Sequence, residues 1–253
     1  MAKLKLQLVW IYSEEIVNNN IIKILILASV FTFGFAGDIQ GKITFNGKAP
    51  KMKTLRMDAD PVCVANNEVA PRKEWLILDE NNGVKNVLVF VKESPTGSLA
   101  GDFNPPENPA VIDQNGCTYV PHVLGVMVGQ KLDILNSDGT MHNIHALPKV
   151  NKEFNKAMPR SKKKMTVQFD KSEAPFKVKC DVHPWMGAFI GVFDHPYFAV
   201  TGDDGSYVIS GLEPGVYVIE AWHEKLGSQT ANVTVGDSAA NFTFTKPKKP
   251  KKK

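Results

Sequence analysis

The stretch Phe176-Lys-Val-Lys-Cys-Asp-Val-His-Pro-Trp-Met-Gly187 sets a thiol, an imidazole and a thioether close together in sequence. The residues before Cys180 predict a strand, and Pro184 predicts a tight turn that brings His183 and Met186 back toward the same point. Two soft sulfur donors with imidazole form the set taken by a copper ion that cycles between Cu(I) and Cu(II): two His, one Cys and a weak axial Met. The second imidazole has to come from elsewhere. Asn136-Ser-Asp-Gly-Thr-Met-His-Asn143 offers His142 just past a strand, in a loop of polar turn residues. A Cys-x-x-His pair alone is more often chance or a zinc fragment than a copper site, but structural zinc sites favour more thiolates than this chain has nearby.

The remaining histidines carry weaker expectations. His145 follows His142 by three residues, which on an extended strand puts the two side chains on opposite faces, so His142 is the expected ligand. His122 reads as a hydrogen-bonded strand-edge residue. His195 and His223 read as structural residues at element ends. Cys117 and His122 do not form a haem attachment site, because the required Cys-x-x-Cys-His is missing.

Short strands must position these groups. Gly41 to Asn46 alternates and stops at Gly47, while Val84 to Val91 is an apolar run suited to a buried strand. Further strands are expected at Thr118–Val128, Lys131–Asn136, Met165–Phe169, Phe176–Cys180 and Gly187–Phe193. Lys48 to Asn82 reads as a long insertion, and Pro95 to Pro109, rich in Gly, Pro and Asn, as loop. The pattern predicts an all-β chain built as a sandwich or barrel.

Cys180-x-x-His-Pro-Trp-Met186, preceded by Pro121, Val126, Val128, Gly129, Asn136 and the His142-Asn143 pair, resembles the cupredoxin family in its amicyanin, pseudoazurin and plastocyanin branches. The match spans Thr118 to Phe193, with Asp38 to Val91 expected to add the first strands. The resemblance implies a Greek-key β-sandwich holding one type 1 copper per chain. The implied ligands are His142, Cys180, His183 and Met186, with Asn143 tying the two ligand loops together. Pro184, Trp185 and Met141 flank these ligands in sequence, so the His183 edge is expected to emerge in an apolar docking patch. The insertion and the C-terminal segment depart from the compact single-domain carriers.

That segment, Thr201-Gly-Asp-Asp-Gly-Ser-Tyr-Val-Ile-Ser-Gly-Leu-Glu-Pro-Gly-Val-Tyr-Val-Ile-Glu-Ala-Trp222, carries two turn signals, Asp204-Gly205 and Glu213-Pro-Gly215. It resembles the carboxypeptidase regulatory-like, transthyretin-like modules, a likeness that implies a small β-sandwich and no chemistry. The expected organisation is therefore an export signal over 1–36, a copper domain over 37–194 with its insertion at 48–82, the β-module over 195–245 and a basic tail over 246–253.

Composition bounds the function. With 43% hydrophobic and 22% charged residues, the balance is that of a globular chain and not of a disordered one. The net charge of +4 includes six lysines between Lys246 and Lys253, and removing them leaves −2 for the rest. The body thus lacks the basic surface of a nucleic-acid binder. The tail could touch an anionic membrane surface or simply be solvated.

Ile21 to Ala36 resembles a secretory h-region and cleavage site, too short after Lys23 to span a bilayer comfortably. Glu14 and Glu15 sit poorly ahead of it, as a start assigned too early would explain, with Val17 as one alternative. Export permits disulfides. With Cys180 on a metal, Cys63 and Cys117 remain as an even pair, either bridged or as two separate buried thiols. The expected function is one-electron carriage in the periplasm or outside the cell. The partner is expected to be a redox protein such as a cytochrome, dehydrogenase or oxidase, and no catalysis is expected. The alternatives are a secreted adhesion or scaffold protein with a vestigial metal site, and a copper-dependent oxidoreductase.

Overall fold

In Leu88-Val-Phe-Val91 successive side chains point to opposite faces of a strand, and each face has its own hydrophobic partner. Val89 and Val91 are buried in one core, while Leu88 and Phe90 enter a second, largely aromatic layer. This strand is where two sandwiches meet.

The computed structural model describes residues 36–97, 99, 103–236 and 239–247. The expected export signal, apart from Ala36, and the tail beyond Pro247 lie outside the described residues. Among those described, the first strand is β1 (Gly37–Asn46), followed by the helix α1 (Pro61–Ala65) and β2 (Leu88–Glu93). Then come β3 (Ala110–Asn115), β4 (Thr118–Val120), β5 (Val123–Met127), β6 (Leu132–Asn136), β7 (His142–Leu147) and β8 (Phe154–Met158). They continue as β9 (Lys164–Val167), β10 (Glu173–Lys179), β11 (Gly187–Phe193), β12 (Phe198–Val200) and β13 (Ser206–Leu212). The last three are β14 (Val216–His223), β15 (Gly227–Thr234) and β16 (Phe242–Thr245). The chain is all-β, as its turn spacing predicts.

One sandwich stacks the sheet β4-β3-β6-β9 on the sheet β5-β11-β10-β7-β8. Its core draws Ile112, Leu132 and Ile134 from the first sheet and Ile144, Val178 and Ile190 from the second. Each is fully buried, which contributes roughly 1.5–3 kcal/mol per large aliphatic side chain. The other sandwich stacks β13-β1-β16 on β12-β2-β14-β15 around Ile43, Phe45, Ile209, Ile219 and Phe244.

The pairing corrects one expectation. Asp38 to Val91 is expected among the strands of the metal domain. Instead β1 pairs with β13 and β16, and β2 with β12 and β14, so both belong to the C-terminal sandwich. A cut at 194/195 therefore does not separate the sheets. The physical reason is that β1 lies between β13 and β16 and β2 between β12 and β14, so without them the C-terminal strands keep only the β14–β15 hairpin, which is marginal alone.

The two sandwiches join through Phe90, Phe189, Phe193, Phe198 and Trp222. Ring centroids there are 4.8 Å apart for Phe193 and Phe198 and 5.3 Å for Phe189 and Trp222. Gly125 and Gly191 are register partners, and a Cβ on either would stand 2.5 Å from Phe198 or 2.7 Å from Leu88. Their missing side chains let the aromatic layer close.

Candidate metal centre

Antiparallel pairing of β7 with β10, with His145 opposite Lys179, brings the start of one strand beside the end of the other. His142 opens β7, and Cys180 directly follows β10. The turn that begins at Cys180 is tight: the Met186 N–H donates to the His183 carbonyl at 2.9 Å, and Gly187 starts β11. His142, Cys180 and His183 therefore converge, with one donor atom from each lying within 4.8 Å of the others. All three side chains are buried, at 2% exposure or less. Met186 is buried in the same core as Cys180.

The two imidazoles meet through Nδ1, at 2.8 Å, and His183 Nδ1 is 3.9 Å from Cys180 Sγ. Each remote nitrogen meets a carboxylate: His142 Nε2 lies 2.8 Å from Asp138 Oδ2, and His183 Nε2 lies 3.0 Å from Asp60 Oδ2. An ionised carboxylate only accepts, so both Nε2 atoms donate and both Nδ1 atoms aim inward. Two lone pairs and a sulfur facing one another need a cation between them. A proton meets that need: burial pushes His142 down, but the Asp138 carboxylate and the Cys180 sulfur outweigh it and raise its pKa to about 9. For Cys180, burial pushes the thiol up, while hydrogen bonds from His142 and the backbone N–H groups of Asn143, His183 and Val182 leave it lowered overall. Burial lowers His183, and the neighbouring His142 adds to that against the pull of Asp60. A metal ion satisfies the same donors, and carboxylate-oriented imidazoles are the usual arrangement at such ions.

Asn143 joins the two ligand segments. Its Oδ1 accepts from the Asp181 N–H at 2.7 Å and the Val182 N–H at 3.3 Å, and lies 3.3 Å from Cys180 Sγ. Its carbonyl accepts from the buried Tyr119 hydroxyl at 2.6 Å.

His145 lies apart from the cluster, with Nδ1 2.8 Å from Asp181 and Nε2 2.9 Å from Glu153. His122 meets Glu224 at 2.7 Å. His195 and His223 are buried, each accepting backbone N–H groups at Nδ1.

Cys63 and Cys117 form a disulfide across 54 residues of sequence. The bridge pins α1 over the ligand turn and corrects the expected docking patch. His183 is 2% exposed, its Nε2 engaged by Asp60 and 3.8 Å from Cys63 Sγ. Pro184 and Met141 are exposed, but Trp185 is half-buried against Leu55, Met57 and the disulfide, its Nε1–H donating to the Cys117 carbonyl at 3.1 Å. The His183 edge emerges nowhere, because the insertion covers it.

Sequence reasoning missed Asp138 and Asp60. Asp138 stands four residues before His142 in the same turn, a spacing that could have suggested it. Asp60 has no such signal, since 123 residues separate it from His183. It caps α1 by accepting from the Val62 N–H at 2.8 Å, and its other oxygen also accepts from the Thr140 hydroxyl at 2.8 Å.

No family model matches the chain, and no curated protein does. Among solved structures, a copper-containing nitrite reductase from Thermus scotoductus SA-01 is 20% identical over 40% of this chain and 25% of its own, with a TM-score of 0.32. A purple cupredoxin from Nitrosopumilus maritimus is 23% identical over 33% of this chain and 98% of its own, at 0.28. A mutant of amicyanin in its Cu(I) form is 21% identical over 35% of this chain and 86% of its own, at 0.30. Overlaps of this size reach only part of the chain.

Proposed function

We propose that the chain is an exported copper protein that carries single electrons between redox partners. The observation that carries this reading is the convergence of the His142 and His183 Nδ1 atoms on the Cys180 sulfur, with each Nε2 held by a carboxylate. The resemblance of the Cys180 to Met186 motif to the cupredoxin family supports the same ion and adds Met186 as the thioether donor. Copper bound there would supply a one-electron couple.

The residues of the chain hold that centre still. Asp138 and Asp60 fix the two rings, Asn143 holds the thiolate turn, and the disulfide anchors the cover. Burial of all three donors favours a carrier over an enzyme, because catalytic metal sites keep a position open to substrate whereas an electron needs none. The disulfide supports export to an oxidising compartment.

The test is titration of the purified chain with Cu(II). One equivalent should produce an intense visible thiolate-to-copper band that ascorbate bleaches and air restores, and Cys180→Ser should remove it. A parent chain that takes up Zn(II) but shows no such band with Cu(II) would overturn the reading.

A further inference from the structure

With the His183 edge closed, another group must meet the partner. The ring beside His183 is Trp185, with centroids 4.9 Å apart and planes at 41°. Trp185 reaches an open groove of about 280 Å³ that Leu55 also lines. Beside the indole this groove carries Arg72, Lys73, Lys177 and Lys225. The first three are exposed and pair with no carboxylate among the described residues. These four cations outnumber the two carboxylates of the groove, Glu74 and Glu224. Glu224 Oε1 meets His122 Nε2 at 2.7 Å and its Oε2 lies 3.8 Å from Lys225, while Glu74 lies 3.7 Å from His122 Nδ1. A concave surface with several unpaired cations focuses its field outward and steers an acidic surface toward itself.

We propose that this groove is the docking site of an acidic one-electron redox protein, and that Trp185 bridges His183 to that partner. The proposal rests on the copper reading. With copper bound, one electron would pass from the chain to the partner, whose own centre would be reduced by one, and no bond or proton would be exchanged.

Two anionic probes stand in for the partner. Hexacyanochromate(III), paramagnetic and redox-inert here, is titrated into the isotope-labelled copper-free chain. Outside the lysine tail, it should first broaden the Trp185 indole N–H and the amides around Arg72, Lys73 and Lys177. Hexacyanoferrate(III) is mixed with the reduced copper form, and the return of the visible band gives the rate constant. The double variant Lys73→Glu/Lys177→Glu should lower that constant by about tenfold at ~10 mM salt, and by less than about twofold at ~0.5 M. Lys131→Glu makes half that change of charge just before β6, at the end away from the ligand loops, and should differ little from the parent. Trp185→Leu should slow the reaction at both ionic strengths. Broadening confined to the tail, or a double variant no slower than Lys131→Glu, overturns the docking site. A Trp185→Leu rate equal to that of the parent overturns the bridge. Absence of the band from the parent removes the copper reading and this proposal together, whereas a full band with unaltered rates removes this proposal alone.

Discussion

Asp60 Oδ2 stands 3.0 Å from His183 Nε2, joining the insertion to the ligand turn. The same carboxylate caps α1 and holds Thr140, two residues before His142, so one side chain touches both ligand segments. Replacing Asp60 by Ala should lower copper affinity about 10- to 100-fold, the usual cost of losing a partner that orients a ligand. Loss of the cap should also destabilise the fold by about 1 kcal/mol. Asp60→Asn, which can still accept, should recover part of both. Competition with a chelator of known strength measures the affinity, and an Ala variant that binds as tightly as the parent counts against the role.

His142 and His145 make a second contrast. His142→Gly should abolish or reshape the visible band, with added imidazole restoring part of it. His145 is held by Asp181 and Glu153 outside the cluster, so His145→Gly should leave the band in place. Spectra of the two variants side by side decide the assignment, and the reverse pattern would move the ligand to His145.

The disulfide closes a loop of 54 residues in sequence separation. Chain-entropy reasoning assigns such a crosslink about 4 kcal/mol. Cys63→Ser/Cys117→Ser should lose stability of that order in a denaturant titration while still binding one copper, more weakly, because the site's own donors remain. Unchanged affinity would mean that α1 stays seated without its anchor.

His223 predicts a pH dependence remote from the metal. Burial holds its pKa down to about 4, and its Nδ1 accepts the N–H groups of Lys225 and Leu226, bonds that protonation would break. The unfolded chain takes up this proton near pH ~6.5. Between that value and about 4 the unfolded state therefore binds more protons, and stability falls as pH falls. The loss should approach about 3 kcal/mol and then level off. In His223→Gln, the fall in unfolding free energy across this window, read from denaturant titrations at a series of pH values, should be smaller by that amount. An identical slope in the two proteins would remove His223 from the account.

Much of the candidate site is legible in the chain because its parts are local. Cys180, His183 and Met186 share one turn, and a turn's geometry follows from nearby residues such as Pro184. Asn136 to Asn143 likewise shows a polar loop feeding a strand. His145 could be separated from His142 by strand periodicity alone. The all-β class was readable for the same reason, since strand length and turn chemistry are short-range properties.

Tertiary structure decided whatever depends on contacts distant in sequence. The sequence alone did not assign β1 and β2 to the C-terminal sandwich, because an alternating strand states that it has two faces but not which sheet will cover each. Nor did it join Asp60 to His183 or lay α1 over the ligand edge. A hydrogen bond across 123 residues leaves no periodic trace, and a long insertion reads the same whether it hangs in solvent or closes a site. The types of donor atom were set by the sequence, and their enclosure was decided by which distant surfaces could be buried together.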